Sequence, residues 1–67
     1  MDQKIIDDLQ DGQSKVDAVK SLLNKLYYDQ EFSTLFTRPV LSMMIAGCDY
    51  LITNLGLLAE KYRVRTQ

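Results

Sequence analysis

A chain of 67 residues is expected to form one domain, 1–67, and a core that small is marginal on its own. With Cys48 the single cysteine and no histidine, an internal disulfide is excluded and a tetrahedral zinc site is not expected, which leaves a partner chain as the stabiliser. Eight basic and nine acidic residues give a net charge of −1, which points to no strongly charged partner.

The N-terminal stretch MDQKIIDDLQ carries acids where a signal peptide would carry Lys or Arg followed by an apolar run. Together with a free thiol this leads us to expect a cytoplasmic protein. From there the apolar positions Ile5, Leu9, Val16, Val19, Leu23 and Leu26, with Gly12 inserted, keep an alternating spacing of four and three. That is a heptad seam, the pattern of one helix lying along another. It predicts a helix over about 3–28, about 39 Å long. Asp11-Gly12 is also a turn signal, and Ser14-Lys15-Val16-Asp17 resembles a capping box, so a break at Gly12 is the alternative. The heptad holds its phase through Gly12, which favours a continuous helix with Gly12 as a close approach or mild kink.

Residues 29–38 are a long connection for antiparallel helices and hold Phe32, Leu35 and Phe36 at helical spacing. Their expected role is to fold over the open end of the bundle; the alternative is a hot spot for another protein. Thr37 or Arg38 should cap the second helix, with Pro39 in its first turn, where a missing N–H costs nothing.

The second helix, about 39–63, has its own seam in Leu41, Met44, Cys48, Leu51, Leu55, Leu58 and Tyr62. Ser42, Ala46, Asp49, Thr53, Gly56, Glu60 and Arg63 follow the same spacing on the opposite side, so Asp49 is expected to face solvent. A membrane span would have to hide Asp49 and Asn54 in lipid, which argues against one. The rest of the circumference is apolar. Ile45, Ile52 and Ala59 flank the seam on one side, and Met43, Tyr50 and Leu57 lie beyond it on the other, with Gly47 and Asn54 between. This arc is about twice the roughly 100° that one helical contact needs. The fold class that follows is all-α: an antiparallel helical hairpin, dimerising into a four-helix bundle through Ile45, Ile52, Met43, Tyr50 and Leu57.

Chemistry-bearing groups are sparse. Without histidine there is no imidazole base and no Ser/His or Cys/His pair, so no catalytic residues are expected. Asp7, Asp8 and Asp11 read as acids complementing a helix N-terminus rather than as metal ligands, and Cys48 reads as a small buried hydrophobe. No metal or cofactor is implied. The basic run Lys61-Tyr62-Arg63-Val64-Arg65 suits a helix C-terminus and is too short for a nucleic-acid stripe. In size and layout the chain resembles the small hairpin co-chaperones of type III secretion needles and many short phage or mobile-element accessory proteins. That resemblance implies a non-enzymatic adaptor, co-chaperone or regulator. The alternatives are a nucleic-acid-associated regulator using the basic C-terminus and a small membrane-associated protein.

Overall fold

The computed structural model describes residues 2–66. It is a hairpin of two helices, α1 (Asp2–Tyr27) and α2 (Thr37–Thr66), packed along their lengths. Asp2 stands in the first turn of α1 and Lys25 in its last, and Arg63 and Arg65 stand in the last turn of α2, all complementing the helix dipoles. The hairpin measures 50 × 14 × 12 Å, with a radius of gyration of 15.3 Å. A compact domain of this length would have a radius near 11 Å.

α1 runs through Gly12 without a break. A Cβ at Gly12 would lie 4.0 Å from Leu55 Cδ1, which is ordinary contact. Gly12→Ala should therefore raise stability by about 0.5–1 kcal/mol, the helix-propensity difference, in a chemical melt. No gain would mean that the helix needs a glycine there. The close approach lies at Gly56 instead: its missing Cβ would sit 3.1 Å from Gln13 Nε2, and that amide donates to the Ile52 carbonyl at 3.0 Å.

The helices meet on a face one column away from the expected one. The covered positions of α1 include Ile6, Leu9, Gln13, Val16, Lys20, Leu23, Leu26 and Tyr27, and those of α2 include Leu41, Ile45, Cys48, Ile52, Leu55, Ala59 and Tyr62. Leu9, Val16, Leu23, Leu26, Leu41, Cys48, Leu55 and Tyr62 belong to the expected seams. The alternate layers differ: Ile6 replaces Ile5, Lys20 replaces Val19, and Ile45, Ile52 and Ala59 replace Met44, Leu51 and Leu58. Leu23, Leu41 and Cys48 form the core cluster, with Val16, Leu26, Tyr27 and Ile45 packed against it.

The connection is tied together by local hydrogen bonds. The Asp29 carboxylate accepts from the Glu31 and Phe32 amides at 2.9 and 3.3 Å, and the Ser33 amide donates to the Asp29 carbonyl at 2.7 Å. Thr34 and Thr37 cap reciprocally: the Thr34 amide donates to Thr37 Oγ1 at 2.8 Å and the Thr37 amide to Thr34 Oγ1 at 3.2 Å. This is the capping-box arrangement, with Thr37 in the place of the usual Glu or Gln. It starts the turn three residues ahead of α2, and Pro39 then falls in the helix's first turn, where the sequence placed it.

Candidate functional site

The two side faces of the hairpin differ in chemistry. On one side Lys20 pairs with Asp49, and Gln13 reaches over Gly56. Asp17, Ser42, Thr53 and Glu60 fall on that side by helical spacing, and all are exposed. A shallow recess of about 290 Å³, lined by Gln13, Ser14, Asp17 and Ile52, lies there too. Among the described residues no three acids or thiols come together as a metal site. Asp49 is exposed, as expected, but it is also the acceptor of a cross-helix ion pair. Donating a hydrogen bond to the Asp49 carboxylate raises the Lys20 pKa above the usual lysine value, against a smaller opposing effect of burial. The pair is therefore complete at neutral pH, and its contribution is lost as pH rises through that raised value. Asp49→Asn should move the melting midpoint by less than about 4 °C at pH 7, since exposed pairs contribute little. The difference should vanish in alkali.

The other side is apolar. Gly12 meets Leu55 there, and Ile5 and Val19 lie seven residues either side of Gly12, with Leu22 one turn beyond Val19. On α2 the same side carries Val40, Met44, Leu51 and Leu58, each about half exposed, and outside them Met43 (75%), Tyr50 (71%) and Leu57 (65%). In an antiparallel pair, positions displaced the same way from each seam fall on one side of the hairpin, so both sets share a surface.

Of the expected interface residues, Met43, Tyr50 and Leu57 stand on this open surface. Ile45 and Ile52 do not: they are partly buried in the intrachain seam. The reason is the one-column rotation of α2, which turns the Ile45–Ile52–Ala59 edge toward α1. Met44, Leu51 and Leu58, which the heptad spacing predicts to lie inside, are thereby left on the open side.

The second open region is the connection. Leu35 is 95% exposed, Phe36 84%, and Phe32 and Tyr28 are exposed as well. Within the single hairpin, then, these side chains do not seal the end. Tyr27 and Leu26 close the bundle end against the core, and the Arg38 guanidinium lies over the Tyr27 ring at 5.1 Å. Phe32, Leu35 and Phe36 are left outside on a turn held by its own hydrogen bonds. Phe32→Ser with Phe36→Ser should leave the melting midpoint within about 4 °C of the parent, because exposed side chains add little to the fold. The same variant should lose any partner that docks at this end, read by co-purification. A large fall in melting would restore the sealing role.

The basic C-terminus is engaged locally: Arg63 pairs with Glu60, and Arg65 lies over the Tyr62 ring at 5.4 Å. α2 from Thr37 to Arg65 is long and apolar enough to cross a membrane. Crossing would strip it from α1, because α1 carries charges along its whole length and Lys20 is tied to Asp49.

The chain matches no family model, no curated protein and no solved structure.

Proposed function

We propose that this chain is a small non-enzymatic protein–protein interaction module, of the adaptor, co-chaperone or regulator kind. It pairs with itself into a four-helix bundle and offers the exposed connection to a further protein. One observation carries the reading: a continuous apolar surface on one side of an otherwise polar hairpin, with Met43, Tyr50 and Leu57 more exposed than half. Apolar surfaces of this extent mark interaction sites.

The size of the surface supports it. The hairpin exposes 5280 Å². A compact monomer of 7.7 kDa would expose about 4,300 Å². The excess, roughly 1,000 Å², is about what one partner contributes to a standard stable interface. The loop triplet Phe32, Leu35 and Phe36 has the aromatic character of an anchor cluster.

The test is a pair of binding measurements on the intact chain. A partner protein should co-purify in stoichiometric amount with wild type, and be lost on Phe32→Ser with Phe36→Ser. Fluorescence anisotropy with labelled DNA and RNA should show no binding at low salt. Salt-sensitive nucleic-acid binding that survives the loop variant would instead assign the module to nucleic acid through Lys61, Arg63 and Arg65.

A further inference from the structure

We infer that the apolar side receives a second copy of this chain in antiparallel orientation, α2 against α2, with Gly47 of each copy packed against Asn54 of the other. The inference rests on the interaction reading above and names its partner and register.

Gly47 is the first observation. It lies in the middle of α2, flanked by Met43, Met44, Tyr50 and Leu51, and apart from its chain neighbours and its own helix backbone no heavy atom lies within 4 Å of the place its Cβ would take. Nothing in the hairpin requires a glycine there. Mid-helix glycine nevertheless costs about 1 kcal/mol against alanine. Gly12 and Gly56 differ, because each has atoms of the opposing helix at its missing Cβ. A glycine facing outward on an apolar surface suits the close approach of another backbone or side chain.

The pattern of α2 gives the second. Along the open side the order is Met43–Met44, Gly47, Tyr50–Leu51, Asn54, Leu57–Leu58. Read backwards it is the same: an apolar pair, a break, an apolar pair, a break, an apolar pair. A two-fold axis between Tyr50 and Leu51 sets Met43 against Leu58, Met44 against Leu57, and Gly47 against Asn54. Such an isologous contact needs a surface complementary to itself under rotation, and this helix has one. The breaks also fit, since a glycine leaves a hole where Asn54 presents a side chain. The Asn54 amide already donates to the Tyr50 carbonyl at 2.8 Å, so part of its polarity is met within its own helix.

Orientation follows from charge. Antiparallel helices set opposite dipole ends together. A parallel pair would bring Lys61 of one copy beside Lys61 of the other, because Lys61 continues the Gly47–Asn54 column by seven residues. The roughly 1,000 Å² of excess surface matches the share of one copy.

Gly47→Gln tests the register. Its side chain meets open space in the hairpin, so the circular-dichroism spectrum should keep its helical signal. The dimer dissociation constant from sedimentation should rise about a hundredfold, because two overpacked contacts enter each interface. A companion experiment mixes Met43→Cys and Leu58→Cys chains under mild oxidation, Cys48 being buried in the seam. The mixed disulfide should dominate over either self-linked species. A dimer indifferent to Gly47→Gln, or a dominant Met43→Cys self-link, would overturn the register and leave the interaction reading standing. A wild-type chain that stays monomeric would overturn both. A monomer that instead floats with phosphatidylcholine–phosphatidylglycerol vesicles would assign the apolar side to lipid.

Discussion

Met43→Glu combined with Leu57→Glu should give a chain that is helical and monomeric. Both side chains project from the open side of α2 and touch nothing essential to the hairpin, being 75% and 65% exposed. Replacing them changes the hairpin's own stability within the range of surface substitutions, about 0.5 kcal/mol. In the assembly each would be covered. Under the proposed two-fold every copy then buries two carboxylates among methionines and leucines, which is costly without partners. We expect the dissociation constant to rise by at least about a thousandfold, read by sedimentation with helicity measured in parallel. Loss of helicity together with loss of assembly would mean that folding and pairing are one event.

Leu23→Ala and Leu41→Ala should do the reverse and act on the fold itself. Both leucines are buried in the core cluster with Cys48. Truncation removes burial and leaves a cavity, about 2–5 kcal/mol for leucine. A single core of this size supplies only about 3–5 kcal/mol, so either change should leave the dilute chain largely unfolded at 25 °C. Because anything that binds only the folded form stabilises it by mass action, raising the concentration should partly restore the helical signal. Leu51→Ala, at a position the sequence alone put in the seam, should cost the fold less, since Leu51 is half exposed. Its larger effect should fall on assembly.

That contrast shows what the sequence could and could not reveal. The two helices were legible, because the heptads are long, but α2 starts at Thr37, ahead of Pro39, and runs to Thr66, past the expected end near 63. The continuity of α1 was legible for the same reason, in the unbroken phase across Gly12. The exact faces were not. α2 is apolar around most of its circumference, so several heptads can be drawn through it and periodicity cannot choose among them. In α1 the true seam includes Gln13 and Lys20, which an apolar template passes over in favour of Gly12 and Val19. Lys20 belongs there because its aliphatic stem can lie along α2 while its ammonium reaches Asp49. Gln13 belongs there because Gly56 leaves room for its amide to find the Ile52 carbonyl. The glycine on one helix was the missing signal for the polar residue on the other.

The candidate site divides in the same way. Met43, Tyr50 and Leu57 could be found from spacing, since they lie farthest from any drawn seam. Ile45 and Ile52 were misplaced by the same single column that brought Met44, Leu51 and Leu58 outside. The loop triplet was found as a group, but its role turned on something sequence does not show. In the single hairpin Tyr27 and Leu26 pack against the core at that end, and Phe32, Leu35 and Phe36 stay exposed. Hydrogen bonds to the Asp29 carboxylate and between Thr34 and Thr37 fix the turn without those three side chains.

The continuous α1 also removes one escape from pairing, in which residues before Gly12 would fold back as a third helix over the open side. Sedimentation equilibrium of the wild-type chain at about ten micromolar, a concentration that a complex of micromolar affinity or better would populate, therefore decides the matter. We expect twice the mass of one chain together with a fully helical spectrum. A well-folded species of single-chain mass, unchanged when concentrated about tenfold, would contradict it.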